Sequence, residues 1–348
     1  MPSLSLAGTD RTRPTGLAGK LITAALCIIG LFAVPQVVTN PYWLHVLNLV
    51  LIYTPLSIGA NIITGYAGMV SMGQAAFFGL GAYTSALLMM DAGFPWFAAF
   101  LCAGLVAALG GALVAVPCLR VKSDFLSLVT IAFGQIFFVV INGWMDLTRG
   151  PMGIPSVPQI QVFGWKARTE TDFWYVAAVI VGVIVFAAWR VVSGPVGRAW
   201  EMIRDDEEAA RALGVNVTYR KILAFAVGCL FSGFAGSLFA HNLRLVSPDS
   251  FVQEESLVIM QMAILGGLAS IPGSILGAFL LIAIPEALRS SIPELIVYRP
   301  GIMGLLLIVM MIWRPQGILG RRRAAPALLL SLSDTLRRAL GLKPLGEK

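Results

Sequence analysis

Long uninterrupted runs of apolar residues recur along the whole chain. Most of them reach the roughly 17 to 25 residues that an α-helix needs to cross a hydrocarbon layer of about 30 Å. The runs lack the alternation of apolar and polar residues that is typical of a membrane β-barrel strand. We therefore predict about ten transmembrane helices, with roughly eight to eleven compatible with the pattern, near residues 17–38, 43–63, 72–91, 95–118, 124–142, 172–190, 222–241, 256–270, 272–288 and 300–313.

The composition agrees with an all-α, polytopic membrane protein. The chain of 348 residues is 57% hydrophobic with 36 glycines, and its mean hydropathy is +0.83, which is too apolar for a soluble domain. The first run follows Arg11, Arg13 and Lys20, but no small-x-small cleavage site comes after it, so we expect a retained span rather than a signal peptide. The four cysteines lie in or beside apolar runs, which argues against a disulfide framework or a metal site.

Basic residues are divided unevenly between the two predicted sides of the membrane. If the N-terminus is cytoplasmic and all ten spans cross, 19 of the 25 Lys and Arg residues face the cytoplasm, as the positive-inside rule requires. We then expect a cytoplasmic tail at 1–16, a membrane domain at 17–320 with a cytoplasmic loop at 193–221, and a second cytoplasmic tail at 321–348. The net charge of +7 reflects this topology and requires no nucleic-acid partner.

One stretch, GRAWEMIRDDEEAARALGV at 197–215, concentrates the charge. Eight of the fourteen residues from Arg198 to Arg211 are charged, against 12% in the whole chain. Asp205 stands where a helix N-cap would stand, Glu208 is its candidate capping-box partner, and Gly214 is placed to end the helix in a left-handed cap. The pattern predicts a short capped helix of about eight residues, which needs a surface to lie on because isolated helices of that length are marginal in water.

The same stretch carries two further signals. Ala199, Met202 and Ile203 can form one apolar stripe, and Glu207 can pair with Arg211 one helical turn later. The alternative interpretation is a solvated loop whose arginines only fix the topology. The pattern by itself leaves both interpretations open.

A second stretch, GYAGMVSMGQAAFFGLGAY at 65–83, is rich in glycine. Glycine weakens a regular helix by up to about 1 kcal/mol relative to alanine, but it permits tight turns and close helix approach. Packing explains Gly79 and Gly81. The remaining glycines favour a broken or re-entrant helix beside a transport path, because irregular backbone at membrane depth survives only where protein buries it or water wets it. Packing stays open as the alternative for all of them.

The glycine pattern recurs near the other end of the chain. Gly68 and Ser71 form a G-x-x-S motif that returns at Gly267 and Ser270, and a Gly-Ala-aromatic triplet follows each copy. Corresponding glycine-broken segments in two halves indicate a possible internal repeat with a substrate path between the halves. The candidate residues along this path are Gly65, Gly68, Ser71, Gly73, Gln74, Phe77, Gly267 and Ser270.

Residues 197–225, GRAWEMIRDDEEAARALGVNVTYRKILAF, resemble the cytoplasmic coupling segment of LivM-type permeases, which belong to ABC importers for branched-chain amino acids. Similar proteins usually have two glycines where Arg149 and Gly150 stand, so we expect that outer turn to differ here. Further segments agree in order and spacing: GYAGMVSMGQAAFFGLGAY (65–83), LTRGPMGI (147–154), VSPDSF (246–251), AILGGLASIPGSILGAF (263–279) and RPQGILG (314–320).

The resemblance implies an ABC-importer permease fold in a bacterial inner membrane. This chain and a LivH-like permease would form the pore, two LivG/LivF-like ATPase subunits would bind beneath it, and a periplasmic binding protein would deliver the amino acid. The chain would be no enzyme and would hold no cofactor of its own, because it lacks a G-x-x-x-x-G-K-[ST] phosphate loop and the ATPases would bind ATP and Mg. The residues implied in coupling to the ATPases are Gly197, Arg198, Glu201, Arg204, Asp205, Glu208, Ala209, Ala210, Leu213 and Gly214.

Other functions remain as alternatives. An ion-coupled carrier needs ionisable groups deep in the bilayer, whereas Asp91, Glu286 and Arg289 lie near predicted span ends. A channel for small neutral solutes would suit the glycine-rich segment, and only the charged stretch argues against it. Permeases for urea and short amides are very similar to LivM-type chains, so these solutes are the alternative to a small apolar amino acid.

The predicted topology is tested by thiol labelling in intact cells. A cysteine placed at residue 168 or 244 should react with a membrane-impermeant reagent added outside, because both positions fall in outer loops. A cysteine at 205 or 322 should react only after the cells are opened. Labelling of residue 205 from outside would overturn the arrangement.

Overall fold

The computed structural model describes residues 33–38, 40–118, 123–162, 165–291, 299–314 and 316–320. This part of the chain is mostly helical, and nine of the ten predicted spans coincide with helices in it. The predicted span 17–38 lies outside the described residues except for its last six, and the predicted tails 1–16 and 321–348 lie outside them entirely. The helices are α1 (Pro41–Asn61), α2 (Gln74–Met90), α3 (Trp96–Cys118), α4 (Ser123–Gly143), α5 (Met145–Thr148), α6 (Glu170–Val192), α7 (Pro195–Asp205), α8 (Glu207–Ala212), α9 (Val217–Leu243), α10 (Gln253–Gly266), α11 (Ile271–Ser291) and α12 (Arg299–Trp313).

Not every predicted span is a full-length helix. The predicted span 256–270 stops at Gly266, so α10 has 14 residues and rises only about 21 Å, less than the thickness of the hydrocarbon layer. Helix α2 and residues Ile271–Ala287 form shorter apolar helices. Within the described residues, the helices long and apolar enough to cross a membrane are five: Pro41–Tyr66, Trp96–Pro117, Leu126–Gly143, Glu170–Val192 and Val217–Leu243.

Helices α1 and α9 form the centre of the bundle. Of the apolar window in each helix, 89% is buried in α1 and 67% in α9, but only 17% is buried in α4 and 28% in α6. Helix α9 packs against α1, α2 and α3, and α1 also packs against α6, α10 and α11. The outward faces of α4 and α6 carry exposed large apolar side chains, as expected for helices at the edge of a membrane bundle.

Glycines let the backbones of α2 and α9 touch. A Cβ added to Gly236 would lie 2.1 Å from the carbonyl oxygen of Phe78, and one added to Gly81 would lie 2.2 Å from the carbonyl oxygen of Gly233. Any larger residue would force the two helices apart. Gly81 is therefore a packing glycine, as predicted. So is Gly79, where an added Cβ would lie 2.7 Å from the ring of Phe137.

The connections add a little β-structure, so the described chain is mostly rather than wholly helical. Strand β1 (Ile154–Pro155) pairs with β4 (Leu245–Val246), and β2 (Gln161–Val162) pairs with β3 (Trp165–Lys166), both antiparallel. Single 3-10 turns cover Gly150–Met152 and Pro248–Phe251.

The turn before β1 has an unusual backbone. Arg149 and Gly150 have φ values of +59° and +57°, in the left-handed region that favours glycine. Arg149 thus occupies a conformation that residues other than glycine rarely adopt.

Candidate functional site

The glycine-rich stretch 65–83 contains a true helix break. Helix α1 passes at Asn61 into a π-helical turn, Ile62–Tyr66, and residues 67–73 are irregular before α2 begins at Gln74. Gly68 has a φ of +72°, a conformation that costs other residues roughly 1 to 2 kcal/mol. Ala67, Met69 and Ser71 are buried within the chain. The prediction of a broken helix in this stretch is confirmed.

Side chains from neighbouring helices satisfy the backbone groups that the break leaves free. The N–H of Met72 donates to Thr130 Oγ1 (3.0 Å), and its carbonyl oxygen accepts from Gln253 Nε2 (2.8 Å). The N–H of Ala75, in the first turn of α2, donates to Ser256 Oγ (3.0 Å). Unpaired backbone groups are costly away from water, so these side chains from α4 and α10 are what permit a break at this depth.

The candidate path residues of the first break have two different environments. Within the described chain, Ser71 Oγ and Gln74 Nε2 are buried and have no hydrogen-bond partner, whereas Gln74 Oε1 accepts from Ser232 Oγ (2.8 Å). Phe77 is fully buried and stacks on Phe133 with 5.2 Å between ring centroids. Polar atoms without partners are therefore grouped at Ser71 and Gln74, and Phe77 is packed among other rings.

Gly73 allows a close approach at the same place. An added Cβ would lie 2.6 Å from the carbonyl oxygen of Thr130. The break is thus held against α4 by both the backbone and the side chain of Thr130.

A second break separates α10 from α11. The backbone leaves the helix at Gly267, whose φ is +125°, and Ala269 has a φ of +55° before α11 begins at Ile271. The N–H groups of Ile318 and Leu319 donate to the carbonyl oxygens of Leu265 (3.0 Å) and Gly266 (2.9 Å). Both copies of the G-x-x-S motif therefore coincide with helix breaks, and the RPQGILG segment packs on the second one.

Asn61 joins the two breaks. Its Oδ1 accepts from the backbone N–H of Ala269 (2.8 Å), and its Nδ2 lies 2.7 Å from Ser274 Oγ. The same Nδ2 also lies 3.1 Å from the carbonyl oxygens of Gly267 and Ser270. Asn61 is 1% exposed, so the two breaks meet at one buried amide group.

The charged stretch forms two short helices rather than one. Pro195 starts α7 at its first position, and this helix runs through Asp205. Asp206 is extended, and its Oδ1 accepts from the N–H groups of Glu208 (2.9 Å) and Ala209 (3.0 Å). The prediction that Asp205 is the N-cap was wrong by one residue, because α7 already includes Asp205, and Glu208 is not its capping-box partner.

The end of α8 agrees with the sequence pattern. Gly214 has a φ of +83°. Its N–H donates to the carbonyl oxygen of Arg211 (3.0 Å), and the N–H of Val215 donates to the carbonyl oxygen of Ala210 (3.1 Å). This pair of bonds is the Schellman motif. Glu207 pairs with Arg211 (3.2 Å), as predicted, and also with Lys221 (2.6 Å). The segment is thus a folded element rather than a solvated loop.

The predicted apolar stripe is partly wrong. Ala199 and Ile203 are buried, but Met202 is 40% exposed, and the fully buried side chain is Trp200. The indole N–H of Trp200 donates to the carbonyl oxygen of Arg220 (2.8 Å), which fixes α7 to the start of α9. Helical geometry explains the difference, because successive residues are about 100° apart. Ile203 therefore lies between Ala199 and Trp200 on the inner face, and Met202 lies about 160° from Trp200.

The ten candidate coupling residues divide into a base and an outer face. Gly197 and Ala210 are buried, and a Cβ on Gly197 would lie 1.9 Å from the carbonyl oxygen of Val192. Glu201 and Arg204 are half-buried. The exposed ones are Arg198, Asp205, Glu208, Ala209, Leu213 and Gly214.

Arg204 links this segment to the first break. Its side chain is only 13% exposed, and Nη1 donates to the carbonyl oxygen of Gly65 (2.9 Å). A Cβ on Gly68 would lie 2.7 Å from Arg204 Cγ. Arg204 also pairs with Asp205 at 3.1 Å. The guanidinium therefore connects the charged segment to the π-helical turn.

Several residues that organise the site had no strong sequence signal. Asn61 and Thr130 are uncharged polar residues inside apolar runs, and a search for ionisable groups does not find them. Asp206 and Trp200 lie beside residues that the patterns favoured. A search for uncharged hydrogen-bonding side chains within the predicted spans would have included Asn61 among its candidates.

The apolar helices, the two buried breaks and the folded charged segment together define a multi-pass membrane protein of the transporter class. Residues 42–311 match the family described as branched-chain amino acid transport system / permease component, and the chain belongs to this family. The resemblance to LivM-type permeases is thereby confirmed.

Individual relatives agree with the family match. The chain is 35% identical to the high-affinity branched-chain amino acid transport system permease protein LivM of Escherichia coli K12 over 87% of this chain and 76% of the relative. It is 27% identical to the corresponding LivH of the same organism over 77% of this chain and 91% of the relative. A probable LivM of Methanocaldococcus jannaschii is 22% identical over 77% and 90%. No solved structure matches the chain.

Gly68→Ala tests the contact between the first break and Arg204. The new Cβ collides with the Arg204 side chain and strains the backbone at φ +72°, so we expect import by the assembled transporter to fall about tenfold, the effect of roughly 1.4 kcal/mol. The matched control is Gly93→Ala, because Gly93 also has a positive φ (+66°) but has nothing within 4 Å of an added Cβ. Equal loss in both variants, or wild-type import by Gly68→Ala, would contradict a specific role for this contact.

Proposed function

We propose that this chain is a permease subunit of an ABC importer that moves branched-chain amino acids into the cytoplasm. The observation that carries the proposal is the folded segment α7–α8, whose base is anchored to the membrane domain and whose outer face is charged and exposed. A membrane protein needs such a rigid, exposed element to be driven by a soluble motor. The relatives named above carry branched-chain amino acid transport in their names, which supports this substrate class.

The outer face of α7–α8 is the proposed docking surface for the ATPases. Leu213 is 76% exposed at the C-terminal end of α8, and Glu207 and Glu208 form the acidic first turn at its other end. The caps at Asp206 and Gly214 hold this face in one conformation, so that a contact made on it can move the base. The division between base and face assigns Arg198, Asp205, Glu208, Ala209 and Leu213 to the contact with the ATPase. It assigns Gly197, Arg204 and Ala210 to the anchor.

The other subunits follow from the same proposal. A LivH-like permease completes the pore, two LivG/LivF-like ATPases bind and hydrolyse ATP, and a periplasmic binding protein delivers the amino acid. The chain lies in the bacterial inner membrane with about ten spans and both termini in the cytoplasm, as the positive-inside rule indicates.

The two helix breaks are the proposed wall of the transport path. Broken helices place irregular backbone and polar side chains within the membrane, where a zwitterionic substrate needs polar partners. Ser71 Oγ and Gln74 Nε2 are buried without a partner at the first break, as are Thr64 Oγ1 and Gln253 Oε1, and we assign the first two to this purpose. Gly267 and Ser270 occupy the corresponding place at the second break, which is also the basis for an internal repeat.

Reconstituted transport tests the proposal. Proteoliposomes that contain the complete importer should take up leucine only when ATP and the binding protein are supplied. The double variant Asp206→Ala/Gly214→Val should lower leucine uptake and substrate-stimulated ATP hydrolysis together, because each cap is worth on the order of 1 kcal/mol to a helix too short to hold itself.

The matched control is Asp206→Asn/Gly214→Asn. Asparagine caps a helix N-terminus about as well as aspartate and tolerates the left-handed conformation, so this variant keeps both caps while it removes one charge. We expect it to transport at close to the wild-type rate. Wild-type transport by Asp206→Ala/Gly214→Val with full ATPase occupancy would show that α7–α8 does not couple the motor. ATP-independent leucine uptake by the wild type would refute the importer class.

A further inference from the structure

The π-helical turn Ile62–Tyr66 is held at both ends by contacts that lead to different parts of the molecule. At its start, Asn61 binds the second break through Ala269 and Ser274. Near its end, the carbonyl oxygen of Gly65 accepts from Arg204 of the charged segment. One five-residue turn therefore lies between α7 and both helix breaks.

The backbone of Gly65 packs closely against Asn61 and Ala269. A Cβ on Gly65 would lie 1.9 Å from Asn61 Oδ1 and 2.5 Å from the backbone nitrogen of Ala269. Both polar atoms of the Asn61 side chain are engaged, and the side chain is 1% exposed. Because closely packed groups have discrete arrangements rather than continuous ones, a displacement of Gly65 must be accommodated at Asn61 and at Ala269.

The turn differs from the α-helix on its N-terminal side in the register of its hydrogen bonds. Its extra residue is closed by a hydrogen bond from the N–H of Ala67 to the carbonyl oxygen of Ile62 (3.1 Å), five residues earlier. Such π-bulges occur as single turns within α-helices and are frequent at functional sites. A change of this bond to the α-helical register would rotate the carbonyl of Gly65 away from Arg204.

We propose that Asn61 and the turn Ile62–Tyr66 form a joint that converts movement of the charged segment into movement of both helix breaks together. Asn61 is a positioning residue in this scheme, and Arg204 transmits movement of the charged segment to the joint through its hydrogen bond to Gly65. This inference rests on the proposed function, because it assigns the route by which the ATPases would act on the transport path. It goes beyond the proposed function because it names Asn61 as the side chain on which the coupling of the two breaks depends.

A comparison of two asparagines in α1 separates this role from simple stabilisation. Asn48 is also fully buried in α1, and its Nδ2 donates to the carboxylate (2.7 Å) and carbonyl oxygen (3.1 Å) of Glu170, far from both breaks. In the complete reconstituted importer, Asn48→Ala and Asn61→Ala should both lower thermal stability. Only Asn61→Ala should lower the leucine taken up per ATP hydrolysed, by about fivefold or more, which is the range of ordinary coupling free energies.

Two outcomes of this comparison overturn the joint. One is an uptake per ATP for Asn61→Ala equal to that of the wild type. The other is an equal loss for Asn48→Ala, which would mean that any buried amide in α1 has the same effect.

A second experiment leaves Asn61 unchanged and uses no ATPase. In the full-length chain with its four cysteines replaced by alanine, a cysteine is placed at position 270, beside the carbonyl that Asn61 binds. Arg204→Met removes the hydrogen bond to Gly65. We expect this variant to change the alkylation rate at residue 270 by about threefold or more, which corresponds to a coupling free energy of roughly 0.65 kcal/mol. Arg211→Met, which removes an exposed arginine of the same segment, should leave that rate unchanged.

An alkylation rate at residue 270 that does not respond to Arg204→Met would overturn the proposal, even in an importer that is fully active. A change caused equally by Arg211→Met would overturn it as well. If the wild-type importer needs no ATP, the proposed function fails, but the alkylation rates still test the joint by themselves.

Discussion

The requirement that buried backbone groups find partners inside the protein governs this structure. A helix that breaks at membrane depth exposes N–H and carbonyl groups that lipid cannot satisfy, and each unsatisfied group costs several kcal/mol. The chain meets this requirement with uncharged side chains: Thr130, Gln253 and Ser256 at the first break, and Asn61 at the second. The central position of α1 follows, because it carries Asn61 and continues directly into the first break.

The same requirement explains why the charged segment lies against the break. The carbonyl oxygen of Gly65 accepts a hydrogen bond from Arg204, and Gly68 leaves room for the arginine stem. An arginine that satisfies the backbone of a membrane helix cannot also be part of a solvated loop. The segment is consequently both a folded surface element and a structural partner of the break, and this double role supports the proposal that it carries force between a soluble subunit and the membrane domain.

Sequence pattern predicted the helices well where one physical signal dominates. Apolar length located the long spans, the glycine-rich motifs at Gly68 and Gly267 marked the two breaks, and Gly214 marked a left-handed cap that the structure contains. Asp205 was misassigned because two consecutive aspartates can each cap a helix, and only the extent of α7 decides between them. Met202 was misplaced for a related reason, since the inner face of α7 is fixed by the indole of Trp200 and its bond to Arg220. The sequence marks Asn61 only as an uncharged polar residue in an apolar run, and its role could not be predicted, because its partners are more than 200 residues away and most of them are backbone groups.

Amide hydrogen exchange in the complete importer tests the central claim most directly. Protection of residues 62–73 and 267–270 reports whether the backbone bonds at the two breaks open and close. Trapping the ATPases with ADP and vanadate should change the protection of both breaks together with that of α7–α8, and Asn61→Ala should remove the change at 267–270 while leaving the change at α7–α8. A change confined to α7–α8 in the wild type would contradict the account.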